Sequence, residues 1–277
     1  MNRARVRDGE LRYLRTGSGP TVVLLHTLRT QLEYFSPVIG ALGAGIDVVA
    51  PDLPGHGRSD APEAGYTAAY FTDAVAQFLD ACDIRDALVV GESIGASIAL
   101  ALAARANPRV ARVIALNPYD YGRGGGIRRS STLAHILFTV FCWPIVGPIA
   151  LGAGTKGVLR RVLEGGVRDP RNLPQDLVDE LWECGLLPGH ARAFLSLTRE
   201  WQTWIDARAA YGAATIPVTL AYSDHDWSWP KEREANARAL PAARMVALSE
   251  CGHFSSLEHP QRIAELIRQE IAHVGHT

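Results

Sequence analysis

The chain has 277 residues, 47% hydrophobic and 21% charged, with a formal net charge of −1. These values are ordinary for a globular protein, and the length suits one large domain or a core with an inserted subdomain. Because no excess of positive charge would attract nucleic acid or anionic membranes, we expect neither as a partner. The sequence leaves the oligomeric state open.

The N-terminus and the cysteines favour a cytoplasmic protein. Basic residues begin the chain at Met1–Asp8, but no apolar stretch follows them, so no signal peptide is predicted. The four cysteines are scattered without a CxxC pair, which favours buried thiols over a disulfide framework. No group of histidines and acids has the spacing of metal ligands, so we expect no metal and no cofactor.

Strand and helix patterns alternate along the first part of the chain. Short β-branched runs such as Thr21–Leu25 are typical of strands buried on both faces, and Thr67 is a good N-cap for a helix. The predicted strands are Leu11–Thr16, Thr21–Leu25, Ile46–Ala50, Ala87–Val90 and Val110–Leu116, and the predicted helices are Leu32–Leu42, Thr67–Cys82 and Ile94–Ala106.

The alternation stops between Pro118 and Ile216, where blocks of apolar residues predict a helical insertion, and it then resumes. Strand–helix–strand alternation predicts an α/β fold whose mainly parallel sheet has helices on both faces. We therefore expect a core of residues 1–117 and 217–277, with a cap or lid at 118–216. The predicted later elements are strands Val218–Tyr222 and Met245–Leu248 and helices Lys231–Leu240 and Gln261–Ala272.

One apolar segment, Leu133–Ala153, is nearly long enough to span a bilayer. Pro144, Gly147 and Pro148 interrupt it, and His135 lies near its start. We expect an apolar lid over a binding cleft, which could contact a lipid interface, rather than a membrane span.

The strongest catalytic signal is Gly91-Glu-Ser-Ile-Gly95, which lies directly between a predicted strand and a predicted helix. A tight strand-to-helix turn holds its serine in a strained conformation with an exposed hydroxyl, and the flanking glycines prevent collisions at the bend. Ser93 is therefore the candidate nucleophile. The alternative interpretation is a glycine-flanked turn with an idle serine.

Four segments together resemble the α/β-hydrolase superfamily over nearly the whole chain. Besides the Gly91–Gly95 elbow, Leu24–His26 resembles the family's strand-ending His-Gly, and Pro51–Asp60 matches its loop after the following strand. Gly252–Phe254 resembles the loop that bears the catalytic histidine. The resemblance implies an α/β-hydrolase fold with an inserted cap and a serine nucleophile, but it is less specific for a reaction.

The resemblance also implies a catalytic acid between Ser93 and His253 in chain order. Asp226 occupies the family's register in the turn after a strand. Asp224, two residues earlier, and Asp120, after an earlier strand, are the alternatives that stay open.

Chemistry then assigns the roles. A serine hydroxyl is a poor nucleophile until an imidazole takes its proton, and His253 would be that base. Asp226 would hold the imidazole tautomer and stabilise its charged form. By resemblance, the backbone N–H groups of Ile94 and Leu28 would form the oxyanion hole.

Thr27 departs from the family, which has glycine at this position. Threonine disfavours positive φ, so we expect a differently shaped loop. The shape of this loop then decides whether the Leu28 N–H can serve as the second oxyanion donor. Arg29 could then reach an anionic substrate group; the alternative is a solvated loop residue.

Specificity is expected in the cap, whose apolar residues would wall a hydrophobic pocket or simply pack onto the core. The candidate pocket residues are His26, Arg29, Trp143, Trp227 and Phe254. We expect a serine esterase, that is, a carboxylic ester hydrolase of hydrophobic small molecules.

Several rival activities stay open. A carbon–carbon bond hydrolase of a vinylogous diketone would use the same triad, as would a thioesterase or perhydrolase. Epoxide hydrolases and haloalkane dehalogenases are disfavoured, because by resemblance they use aspartate where this chain has Ser93. A non-hydrolytic lyase, cyclase or binding protein is supported by Thr27 alone.

Overall fold

In the computed structural model, residues 1–272 of the chain are described, and they contain an eight-stranded sheet with the order β1-β2-β4-β3-β5-β6-β7-β8. The pairs β1–β2 and β2–β4 are antiparallel, and every later pair is parallel. The strands are β1 Asn2–Val6, β2 Gly9–Thr16, β3 Thr21–Leu25, β4 Asp47–Pro51, β5 Ala87–Glu92, β6 Val110–Leu116, β7 Val218–Ser223 and β8 Arg244–Leu248.

From β3 onward, helices lie in every connection between consecutive strands, which confirms the predicted α/β class. The α-helices are α1 Ser36–Leu42, α2 Ala68–Ala81, α3 Ile94–Ala104, α4 Thr132–Phe141, α5 Val146–Gly152, α6 Lys156–Leu163, α7 Gln175–Gly185, α8 His190–Arg199, α9 Trp201–Ala207, α10 Pro230–Ala239, α11 Ser255–Glu258 and α12 Pro260–Ala272. Short 3-10 helices lie at Leu32–Phe35, Gly122–Gly124, Gly126–Arg129, Glu164–Gly166, Pro170–Asn172 and Arg208–Ala213.

The apolar runs that predicted the central strands correspond to strands that are buried on both faces of the sheet. Every residue of β4, β5 and β7 is buried, as expected for parallel strands covered on both faces. The N-cap prediction is also confirmed, because the Thr67 hydroxyl accepts a hydrogen bond from the Tyr70 N–H at 3.1 Å. Strand β1 was not predicted; its residues alternate between exposed and buried, a weak signal in a strand of five residues.

The apolar segment Leu133–Ala153 forms two short helices, α4 and α5, rather than one long one. The break falls at Cys142–Ile145, around the proline that interrupts the pattern. Within residues 1–272, no helix is long and apolar enough to cross a membrane. Apolar side chains at this break and on α5 are exposed, so the interfacial contact stays a prediction.

The chain between β6 and β7 is helical wherever it has regular structure, as the insertion predicts. The domain boundaries at 117 and 216 stay a prediction, and the last residues of the predicted core, 273–277, lie outside the described residues. At the end of the insertion, α9 contacts both α2 and α3, and the 3-10 helix Arg208–Ala213 contacts α3. We therefore propose that the cap ends nearer residue 200.

Candidate active site

The predicted nucleophile lies in a sharp turn between β5 and α3. Ser93 has φ 59° and ψ −117°, a strained conformation for a residue other than glycine. A Cβ added at Gly91 would lie 2.1 Å from the carbonyl oxygen of Gly95, and one at Gly95 would lie 2.0 Å from the carbonyl oxygen of Leu25. The two glycines are therefore required by close backbone approach.

We expect Gly95→Ala to lower the free energy of unfolding by about 3 kcal/mol, because its methyl group would collide with backbone that cannot move aside. Urea unfolding measures the change. Gly40→Ala in α1 is the matched control: its Cβ would meet nothing within 4 Å, so helix propensity should make it neutral or stabilising by up to about 1 kcal/mol. Equal stability of the two variants would contradict the close approach.

His253 and Asp226 form a buried pair. The Nδ1 atom of His253 lies 2.6 Å from Oδ1 of Asp226, and neither side chain is exposed to solvent. Burial favours a higher pKa for Asp226, but the hydrogen bond and the charge of His253, with help from Ser228, hold this pKa below its ordinary value. Asp226 therefore stays ionised and orients the imidazole so that Nε2 is free to face a reacting group.

The other two candidate acids bind elsewhere. The carboxylate of Asp224 accepts hydrogen bonds from the N–H groups of Glu250 at 2.8 Å and Cys251 at 3.0 Å. Asp120 forms an ion pair with Arg208 at 3.0 Å and accepts a hydrogen bond from Asn236 at 2.8 Å. Burial raises the pKa of Asp120 to about 6 despite these partners. Of the three, Asp226 is the acid hydrogen-bonded to His253.

Two aromatic residues surround the imidazole. The Trp227 ring stacks on that of His253, with centroids 3.7 Å apart and planes 15° apart, and its Nε1–H donates to the carbonyl of Gly165 at 2.9 Å. The Tyr121 hydroxyl donates to Oδ1 of Asp226 at 3.1 Å. Sequence reasoning missed Tyr121; its place just beyond the carboxyl end of β6 was the available signal.

Tyr121→Phe is expected to lower kcat for any substrate that the site turns over by about tenfold, because Asp226 loses a donor. Steady-state kinetics on the purified variants measure the effect. Tyr119→Phe is the control, because Tyr119 packs edge-on against Tyr121 at 5.4 Å without a hydrogen bond to the acid; the same kcat for both variants would refute the positioning role.

The hydroxyl of Ser93 and the Nε2 atom of His253 share an unusual property. Both atoms are buried, and neither has a hydrogen-bond partner among residues 1–272. Buried polar atoms without partners are rare and need an explanation. Bonds between a nucleophile and its base are often long in unliganded enzymes and shorten when substrate binds.

The elbow is tied to the histidine loop through Glu92. Its buried carboxylate accepts hydrogen bonds from the N–H and the hydroxyl of Ser255, both at 2.6 Å, and from the Tyr34 hydroxyl at 2.7 Å. Burial raises the pKa of Glu92, and these donors offset part of the effect. Glu92 therefore fixes the position of His253 relative to the nucleophile turn.

The loop after β3 shows how Thr27 is accommodated. Its carbonyl accepts hydrogen bonds from the Thr30 N–H at 3.3 Å and from the Thr30 hydroxyl at 2.9 Å, and the positive φ falls on Arg29, at 60°. No acceptor is found for the Leu28 N–H in the described part of the chain. As the first residue of α3, Ile94 has no acceptor for its N–H within the helix. Both predicted oxyanion donors are therefore available.

A cavity of about 800 Å³ lies in the helical insertion. Its walls are mostly apolar side chains of α4 to α8, and Ser93 is not among its lining residues. Leu163 lines the cavity and directly precedes the 3-10 helix Glu164–Gly166. This 3-10 helix contacts Trp227 and Phe254 of the candidate site, so the cavity adjoins the site there. Within residues 1–272, no group of His, Cys, Asp and Glu side chains could hold a metal ion.

Of the five predicted pocket residues, Arg29 is the one that lines this cavity. Trp143 does not line it and is 54% exposed at the break between α4 and α5, so its contact with substrate stays a prediction. His26 does not line it either, and its two ring nitrogens are occupied by the Leu53 N–H and the Thr27 carbonyl, both at 2.9 Å, so its contact with substrate stays a prediction. Trp227 and Phe254 pack around His253 instead.

Comparison with known proteins now decides the family. A model described as "Alpha/beta hydrolase family" matches residues 22–266. The chain belongs to this family. The matched segment contains the elbow, the acid and the histidine, so the whole candidate site lies inside the hydrolase match.

The proteins to which the chain is similar carry names of different activities. The chain is 29% identical to a 2-hydroxymuconate semialdehyde hydrolase of Pseudomonas sp. (strain CF600) over 264 residues, 92% of this chain and 84% of the relative. It is also 29% identical to a pimeloyl-(acyl-carrier protein) methyl ester esterase of Aromatoleum aromaticum, covering 91% of this chain and 98% of the relative. A solved epoxide hydrolase matches with a TM-score of 0.86 at 23% identity, covering 99% and 98% of the two chains, and shows the fold alone.

Proposed function

We propose that this member of the hydrolase family is a serine hydrolase that cleaves an ester bond of a hydrophobic small molecule through an acyl-enzyme. The observation that carries the proposal is the conjunction of a serine at positive φ in the strand-to-helix turn with a histidine paired to a buried, ionised aspartate. The free N–H groups of Leu28 and Ile94 support it.

In the proposed reaction, the Ser93 oxygen attacks the ester carbonyl while Nε2 of His253 takes the serine proton. The negative charge develops on the former carbonyl oxygen, where the Leu28 and Ile94 N–H groups donate hydrogen bonds to it. The carbon–oxygen bond to the alcohol then breaks, and the alcohol leaves with the proton from His253. Water repeats the sequence on the acyl-enzyme, which releases the acid and restores the serine.

The cavity supports a hydrophobic substrate. Side chains such as Phe138, Phe141, Leu159 and Leu195 line it, and each apolar carbon that leaves water for such a wall stabilises binding by about 0.8 kcal/mol. We therefore expect chain length to determine activity.

A second candidate is carbon–carbon bond hydrolysis, which the similarity to a 2-hydroxymuconate semialdehyde hydrolase favours. The same Ser93, His253 and Asp226 would serve it. A vinylogous diketone offered beside the esters separates the two activities.

The test is hydrolysis of p-nitrophenyl esters from acetate to laurate, followed by rapid mixing. We expect a burst of p-nitrophenol that matches the enzyme concentration, and kcat/KM that rises with chain length until the cavity is filled. Turnover of the diketone with no turnover of any ester would refute the esterase and support carbon–carbon bond hydrolysis. No turnover of either by the folded protein would contradict both.

A further inference from the structure

Arg29 extends from the core loop after β3 into the cap. Its guanidinium lies 4.9 Å from the centre of the Phe194 ring of α8, and a Cβ added at Gly185 of α7 would lie 2.5 Å from its Nη2. The residue lines the large cavity. It also keeps an unfavourable φ of 60°, and strained backbone of this kind concentrates at functional sites.

This guanidinium has no acidic partner. Among residues 1–272, no carboxylate lies within 4.0 Å of it and no hydrogen bond is formed by its side chain. Burial lowers the pKa of Arg29 to about 10, so the group is still charged at neutral pH. Arg29 is partly exposed in the cavity wall, and a cation that is partly shielded from water and has no acidic partner makes a bound anion favourable at this position.

The other charged residues of the cavity wall do not supply that anion. They are Arg192, Arg199 and Glu200. Arg192 is paired with Glu63 at 3.0 Å, and Arg199 donates to the carbonyls of Phe141 and Trp143. The carboxylate of Glu200 forms no ion pair with Arg29 in the described part of the chain.

We propose that Arg29 binds a carboxylate at the far end of the substrate's acyl chain, so that the preferred substrate is a half-ester of a dicarboxylic acid. The proposal rests on the proposed esterase function. The Leu28 N–H would donate a hydrogen bond to the ester carbonyl oxygen, and Arg29, the next residue in the chain, would donate to the terminal carboxylate. A planar guanidinium matches a carboxylate with two parallel hydrogen bonds, and the apolar wall accommodates the methylene chain between the ends.

The test compares two p-nitrophenyl esters of equal length, the half-ester of suberic acid and the ester of octanoic acid. We expect the wild-type protein to prefer the anionic ester in kcat/KM, and Arg29→Met to reduce this preference at least about tenfold. Because both esters are measured on one variant, a general loss of activity cancels in the ratio. Arg29→Lys should keep part of the preference, since it keeps the charge but not the paired hydrogen bonds.

Arg192→Met is the matched control, since it removes a cavity arginine that already has an acidic partner. The ratio of kcat/KM for the anionic ester to that for the neutral ester should be the same in Arg192→Met as in the wild type. If Arg29→Met and Arg192→Met both keep the wild-type ratio, or if the wild type prefers the neutral ester, the proposal is overturned.

A binding measurement separates this proposal from the esterase function. Suberate and octanoate both carry a carboxylate for the reacting end, but only suberate has a second one for Arg29. Calorimetric titration of Ser93→Ala should give tighter binding of suberate, and the double variant with Arg29→Met should lose that difference. Preferential suberate binding with no ester turnover would refute the esterase alone; equal binding of both acids would refute the role of Arg29.

Discussion

Replacing Ser93 by alanine is expected to lower kcat by about a million-fold, the largest effect of any single substitution in the site. The hydroxyl is the atom that forms the acyl bond, and no neighbouring side chain replaces it. The measurement is hydrolysis of the best p-nitrophenyl ester at saturating concentration. Stability should change little, because alanine at φ 59° meets the same backbone strain as serine.

Ser97→Ala provides the control for this variant. Ser97 lies one turn further along α3, and its hydroxyl is equally buried. Ser97→Ala should keep wild-type activity. This result would show that the loss of activity in Ser93→Ala does not come simply from removing a buried hydroxyl near the start of this helix. More than a few per cent of residual activity in Ser93→Ala would mean that another group is the nucleophile.

Asp226→Asn is expected to lower kcat by about 10⁴-fold with little change in KM. The amide is similar in shape to the carboxylate, but it no longer stabilises the charged imidazole, and it can hold the ring in the wrong tautomer. The measurement is steady-state kinetics on the same ester, with circular dichroism to verify folding.

Asp120→Asn is the matched comparison for the acid. Its carboxylate binds Arg208 and Asn236 rather than the imidazole, so kcat should fall less than about tenfold, while the free energy of unfolding falls through the weakened ion pair. If Asp120→Asn lost most of its kcat and Asp226→Asn kept a nearly normal kcat, Asp120 rather than Asp226 would be the catalytic acid.

The sequence predicted the parts of the site that depend on local geometry. The elbow around Ser93 is a strand, a turn and a helix within a short stretch, so its residue types determine its shape. Thr21–Leu25 and Val110–Leu116 match the observed strands for the same reason, since runs of β-branched residues buried on both faces have few alternatives. The edge strand β1, with three of its five residues exposed, offered no such run.

Contacts between distant segments could not be predicted. Tyr121 meets Asp226 across 105 positions of sequence, and Glu92 meets Ser255 across 163. Nothing in either segment specifies the other, because these contacts depend on how β6, β7 and the histidine loop align in the sheet.

The loop after β3 was understood only in part. Threonine at position 27 led us to expect an altered loop, which stays a prediction, and the unfavourable φ of this loop lies two residues further on, at Arg29. The cavity that Arg29 lines is formed by helices whose order in space the sequence does not reveal. The exposed position of Trp143 could not be predicted for the same reason, because an aromatic residue in an apolar run can face either the cavity or the solvent.

The central claim is that Ser93 is an activated nucleophile, and labelling with a fluorophosphonate tests it most directly. Intact mass after incubation should show one adduct on the wild-type protein, none on Ser93→Ala, and the wild-type adduct on Ser97→Ala. Peptide mapping should place the phosphonate on Ser93. A folded wild-type protein that takes no label, or Ser93→Ala labelled as fast as wild type, would contradict the account.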